Sequence, residues 1–187
     1  MGKIWAGFCG LALKALGWTT EPDIAPVKKC VILGVPHTSF WDFAVSYLYY
    51  ASFGKVKARV MIKKELFFWP LGPVLKALGA VPVDRRNATA MLKSVIDAMN
   101  REEVFHLAIA PEGTRKPVKR WKTGYHTIAS AVGCPVYMGY FDWRTKKIGV
   151  GKPVELTGDA RADTERIQAL YAEMELRGKH PENYVTG

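Results

Sequence analysis

Short apolar runs alternate with segments of helical periodicity along this chain, and that alternation restricts the fold to an α/β layer. Val31, Ile32, Leu33, Gly34 and Val35 follow Lys28 and Lys29 and stop at Pro36, which reads as a strand buried on both faces. Ser39 and Asp42, three residues apart, suit a helix start, and Phe43, Ser46, Tyr47 and Tyr50 continue at helical spacing. Further strands are expected over 58–62, 80–83, 104–108, 136–142 and 148–150. A short helix around 74–78 follows an aromatic stretch from Leu66 to Pro70, Leu92, Val95, Ile96 and Met99 mark an amphipathic helix, and 121–132 is expected to be helical. Ile167, Leu170, Tyr171 and Met174 give a C-terminal helix one apolar stripe, which Gly178 is expected to end. The expected architecture is a single-domain α/β sandwich with a mostly parallel central sheet. Ligands of such sheets gather at the loops beyond the strands' carboxyl ends.

A length of 187 residues fits one domain with a real core. Lys and Arg number 27 against 17 Asp and Glu, a net charge of +10, so the surface attracts anions: nucleic acid, anionic lipid headgroups or phosphorylated small molecules. No zinc-finger spacing, basic zipper helix or RNP-type motif is present, which sets nucleic acid aside. The cations cluster as Lys55, Lys57, Arg59, Lys63 and Lys64, and as Arg115, Lys116, Lys119, Arg120 and Lys122, each group beside apolar residues as at a membrane interface or on a solvated face. Cys9, Cys30 and Cys134 lie in no metal or redox spacing, which favours a reducing compartment.

Residues 1–20 read as an N-terminal amphipathic segment and 21–187 as the domain proper. Lys14 interrupts the first stretch, which is shorter than the ~20 apolar residues of a spanning helix, and no small-residue cleavage site follows it. Ile4, Phe8, Leu11 and Ala15 recur at helical spacing beside Trp5 and Leu16, so a helix is expected to lie on the protein body or on a bilayer surface.

Three strand ends carry the chemistry. Pro36-His37-Thr38-Ser39-Phe40-Trp41-Asp42 sets a histidine before a helix and an aspartate in its first turn. On one continuous helix the two would stand ~140° apart. With His37 ahead of the cap, its ring can fold back to the Asp42 carboxylate, giving a base with an orienting partner, although a satisfied loop histidine beside a capping aspartate fits the same residues. Glu112-Gly113-Thr114-Arg115 offers backbone amides, a hydroxyl and a planar cation, as a phosphate cradle or a plain surface turn. Asp84-Arg85-Arg86 ends a third strand with cations suited to bidentate phosphate contact, or to exposed ion pairs. Together they suggest one anionic-ligand site holding a proton acceptor.

PHTSFWD, GAVPVDRR and APEGTR, in this order, resemble the first three signature blocks of the glycerolipid acyltransferase family that includes lysophosphatidic acid acyltransferases, and Gly133-Cys134-Pro135-Val136 resembles the fourth. IAPEGTR followed by WKTGYHTIA resembles the short bacterial members. The resemblance implies an α/β sandwich with an acyl-chain tunnel beside the sheet. It also implies that His37 deprotonates an acceptor hydroxyl, that Asp42 orients the ring, and that Arg85 holds the acceptor phosphate with Glu112, Gly113, Thr114 and Arg115. Acyl-CoA or acyl carrier protein would be the donor and a lysophospholipid, lysophosphatidic acid first, the acceptor. No metal or organic cofactor is implied. A peripheral position on the inner face of a cytoplasmic membrane follows from the N-terminal segment and the aromatic patch of Leu66, Phe67, Phe68, Trp69 and Leu71, which could equally line the tunnel or the core. Another lysolipid or glycolipid acceptor, a hydrolase, or a non-catalytic lipid-binding module are the competing readings.

Overall fold

A computed structural model describes residues 2–84 and 86–185. The elements run α1 (Lys3–Ala15), β1 (Thr19–Thr20), β2 (Lys29–Val35), α2 (Phe40–Phe53), β3 (Ala58–Lys63), α3 (Leu71–Ala77), β4 (Ala80–Val83), α4 (Ala88–Arg101), β5 (Phe105–Ile109), α5 (Gly124–Val132), β6 (Val136–Asp142), β7 (Lys147–Val154) and α6 (Ala160–Glu173). The strands form one sheet in the order β1-β7-β6-β2-β5-β3-β4, parallel throughout except for the antiparallel pair β6 and β7. This is the expected single-domain α/β sandwich.

Because side chains alternate along a strand, β2 divides its apolar run between two cores. Val31, Leu33 and Val35 face Val95, Met99, Ile128, Ile167 and Tyr171 of α4, α5 and α6. Cys30 and Ile32 face Leu13 of α1 and Val45 and Tyr49 of α2. Both faces are covered, which is why the strand reads as continuously apolar. On the first face α5 is stapled to α6 by His126 Nε2, 3.0 Å from Asp163 Oδ2, and within α6 Arg166 pairs with Asp163 Oδ1 at 2.8 Å.

Two expectations need correction, and one left open between body and bilayer is sharpened. The helix expected over 121–132 begins only at Gly124, since Lys122 N instead donates to Pro111 O at 2.8 Å and closes the preceding loop. The C-terminal helix ends at Glu173 with Met174 as its cap, and Gly178 lies against Thr38, where an added Cβ would stand 2.5 Å from Thr38 Cγ2. On α1 the packed face is Cys9 and Leu13, while Ile4, Phe8 and Leu11 are 92%, 58% and 70% exposed. Helical spacing correctly grouped those residues on one face, but that face points away from the body.

Candidate active site

Register brings the functional loops together. β2 pairs with β6 so that Val35 lies opposite Tyr140, and with β5 so that Leu33 lies opposite Ile109. All three strands run in one direction, so His37, Glu112 and the turn after Asp142 emerge at the same sheet edge. Here the helix start read from the sequence forms as a capping box: Ser39 Oγ accepts from the N–H groups of the first turn and Asp42 Oδ2 accepts from Ser39 N at 2.7 Å.

Asp42 does more than cap. Its Oδ2 also accepts from Thr38 N at 2.7 Å, its Oδ1 accepts from Trp143 Nε1 at 2.8 Å, and the residue is 1% exposed. His37 precedes the cap, and its Nδ1 lies 3.5 Å from Asp42 Oδ2. That is longer than a well-formed hydrogen bond, but catalytic contacts in unliganded sites commonly tighten when substrate binds. With Nδ1 turned to the carboxylate, Nε2 is the nitrogen left to face a substrate, and the side chain is 30% exposed.

Glu112 sits beneath the histidine. Its Oε1 accepts from His37 N at 2.8 Å, while Oε2 is buried without a hydrogen-bond partner among the described residues. Burial pushes its carboxyl up to about 7, against the lowering effect of the His37 amide. Gly113 follows with φ +67°, a conformation that favours glycine, and an added Cβ would also push aside the end of the Lys122 side chain, 2.7 Å away. Thr114 Oγ1 accepts from Lys116 N at 3.2 Å, and Arg115 is exposed. Arg85 lies outside the described residues. Its neighbour Asp84 pairs with Lys64 at 2.5 Å and Arg86 with Glu65 at 3.5 Å.

An apolar cleft of about 50 Å³ runs between α2 and the sheet, lined by Ile32, Gly34, Phe43, Tyr47, Gly139 and Phe141 among others. It is narrow beside the ~300–1,000 Å³ of sites that enclose small molecules, so any apolar ligand entering it must displace side chains. Gly139 lies so close to β2 that an added Cβ would stand 2.6 Å from Ile32 Cγ2 and 2.7 Å from Leu33 O. Leu66, Phe68 and Trp69 are not among its lining residues and are 45%, 57% and 84% exposed.

Trp143, the most consequential neighbour of the pair, stands 101 residues beyond Asp42 and carries no local signal in the sequence. The same holds for the segment after α6, where His180 N donates to Thr38 Oγ1 at 3.3 Å. The parallel register of β2 and β6 brings Trp143 beside the pair, and the segment after α6 is tied there by its bonds to Thr38 and Trp143.

A parallel α/β sandwich with a His–Asp pair at its carboxyl edge matches a known class. The family model Acyltransferase covers residues 19–138, from β1 into β6, and the chain belongs to that family. Its fold is similar to the crystal structure of the 1-acyl-sn-glycerophosphate (LPA) acyltransferase PlsC from Thermotoga maritima, with a TM-score of 0.62 and 19% sequence identity over 95% of this chain and 81% of that one. Among curated proteins there is no significant match.

Proposed function

We propose that the chain transfers a fatty acyl group from a thioester carrier, coenzyme A or acyl carrier protein, to the free hydroxyl of a lysophospholipid, with lysophosphatidic acid as the preferred acceptor. The observation that carries this reading is the 3.5 Å approach of His37 Nδ1 to a buried Asp42 whose oxygens are held by three N–H donors, at the edge above an apolar cleft. His37 Nε2 takes the acceptor's hydroxyl proton as the oxygen attacks the thioester carbonyl. Asp42 stabilises the imidazolium that forms, as in other base–carboxylate pairs. Collapse of the tetrahedral intermediate breaks the carbon–sulfur bond, and the imidazolium returns its proton to the departing thiolate.

Phosphate recognition is assigned to Arg85 with the Gly113 and Thr114 loop. Arg85→Ala is expected to raise the KM for lysophosphatidic acid about tenfold or more while changing kcat little, because a phosphate held equally in ground and transition states contributes uniform binding. Initial rates against acceptor concentration check this, and an unchanged KM would remove the phosphate role.

A bilayer surface is the proposed source of the acceptor. Exposed Ile4, Phe8 and Leu11 point outward from α1 with Lys3 and Lys14 on the same helix. From there an aromatic trail leads toward the site: Phe8 stacks on Trp5 at 5.3 Å, Trp5 Nε1 donates to Tyr47 OH at 3.3 Å, and Tyr47, Phe43 and Phe40 follow at 6.5 and 6.1 Å. Phe40 and Trp41, beside the catalytic loop, are 65% and 56% exposed. No helix among the described residues is long and apolar enough to cross a membrane. The triple change of Ile4, Phe8 and Leu11 to serine is expected to cut partitioning onto vesicles of 30% anionic lipid more than about tenfold, given ~0.8 kcal/mol per buried methylene. Sedimentation with such vesicles measures it, and equal binding by the variant would move the membrane face elsewhere.

The reading as a whole is tested by an acceptor panel. Thiol release from palmitoyl-coenzyme A should require an acceptor hydroxyl and be faster with lysophosphatidic acid than with lysophosphatidylcholine or monoacylglycerol. Equal release with no acceptor would make the chain a thioesterase.

A further inference from the structure

We infer that Trp143 is a positioning residue for the catalytic pair, and that the segment from Arg177 to His180 is the strap that holds it in place. The inference rests on the His37–Asp42 reading above and adds to it the groups that fix the carboxylate. Asp42 has two oxygens with different duties. Oδ2 takes the backbone N–H groups of Thr38 and Ser39 and faces His37 Nδ1, while Oδ1 is engaged by the indole N–H of Trp143 at 2.8 Å. The helix cap needs only Oδ2. The indole bond anchors the other end of the carboxylate, and so fixes the plane in which Oδ2 is presented to the imidazole.

The indole is itself fixed on several sides. It meets Trp18 edge-on at 5.0 Å between ring centroids, and Lys146 Nζ and Lys179 Nζ both lie 4.7 Å from its ring. Trp143 N donates to Arg177 O at 2.8 Å, and Arg177 N donates to Asp142 Oδ1 at 3.0 Å, so the turn and the strap are tied by two reciprocal bonds. The strap then crosses the catalytic loop. Gly178 packs on Thr38 at a distance that admits no Cβ, His180 N donates to Thr38 Oγ1 at 3.3 Å, and Lys179 also lies 5.2 Å over the Trp41 ring. The two ends of the capping loop are thereby held by a segment some 140 residues further along the chain.

The test is a cycle of Trp143→Phe, Asp42→Asn and the double variant, read as kcat, KM and the pH dependence of kcat/KM. Phenylalanine keeps most of the ring and its contacts with Trp18 but cannot donate. Trp143→Phe should lower kcat about tenfold, a fraction of the ~10²–10⁴ that a positioned base contributes, with the KM of both substrates unchanged. The acidic limb of the pH profile should move upward, because an undonated Oδ1 leaves more negative charge beside the imidazole. Among the described residues, the charged or titratable groups tied to His37 and its loop include Asp42 on α2, Glu112 on the loop after β5, and Lys179 and His180 on the strap, and none of these is altered in Trp143→Phe. In the Asp42→Asn background the same change should cost nothing further, since its target is gone.

Full activity of Trp143→Phe, or the same tenfold loss with and without Asp42, would overturn the inference and leave the indole a packing residue. A KM increase without a change in kcat would overturn it too, by placing Trp143 in substrate binding. Full activity of Asp42→Asn alone would instead remove the His–Asp reading beneath it. Circular dichroism melts separate these outcomes from misfolding: the inference requires the kcat loss in a protein whose melting midpoint stays within a few degrees of the parent.

Discussion

Replacing His37 by alanine is expected to abolish acyl transfer, lowering kcat by about 10³-fold or more while the protein folds as before. The kinetic part follows from the role of the ring, because with Nδ1 turned to Asp42 its Nε2 is the nitrogen left to accept the acceptor's proton, and a positioned base contributes ~10²–10⁴-fold. The folding part follows from what the ring does not hold. Its side chain is 30% exposed, and the bond that anchors this position, from His37 N to Glu112 Oε1 at 2.8 Å, uses the backbone and survives the substitution. Single-turnover rates with palmitoyl-coenzyme A, paired with a thermal melt, measure both. More than a tenth of parental activity in the variant would transfer the base role to another residue.

Glu112→Gln is expected to have the largest effect on stability, and its sign depends on pH. Burial pushes the Glu112 carboxyl from the ordinary 4.5 to about 7 in the folded protein. A carboxyl raised on folding binds its proton more tightly in the folded state, so the stability it contributes is full below about pH 4.5 and is lost as pH rises through about 7. A displacement of that size corresponds to about 3 kcal/mol. Glutamine keeps the acceptor for His37 N and does not ionise. The variant should therefore match the parent near pH 4.5 and exceed it by an amount approaching 3 kcal/mol, to order of magnitude, at pH 8. Urea unfolding at the two pH values checks this, and a constant difference between the two proteins would show that Glu112 ionises freely in the folded state.

Much of the fold was legible because period and punctuation agree in this chain. The run from Val31 to Val35 is apolar at every position since both faces of β2 are covered, and Leu92, Val95, Ile96 and Met99 lie on one side of α4 with Val95 and Met99 fully buried. Ser39 and Asp42 announced the start of α2 because a capping box is a local device. What failed was whatever depends on distant chain. Periodicity groups Ile4, Phe8 and Leu11 but cannot say which way a helix turns when its smaller residues, Cys9 beside Gly10, provide the closer packing against α2. Gly178 looked like a helix stop and is instead a contact surface for Thr38. At the site, the spacing of His37 and Asp42 made their approach foreseeable. Glu112, read as one member of a phosphate loop, accepts from the His37 backbone N–H, and Trp143 was silent because its partner lies 101 residues away, beyond the neighbouring strand.

The central claim is that this edge joins an acyl thioester to a phosphate-bearing lysolipid through His37. The most direct measurement is the mass-spectrometric detection of phosphatidic acid from palmitoyl-coenzyme A and lysophosphatidic acid in mixed micelles, by the parent protein and by His37→Ala. Phosphatidic acid formed in step with released thiol by the parent, and absent from the variant, is the predicted result. Thiol released as free palmitate, or phosphatidic acid formed equally by both proteins, would contradict it.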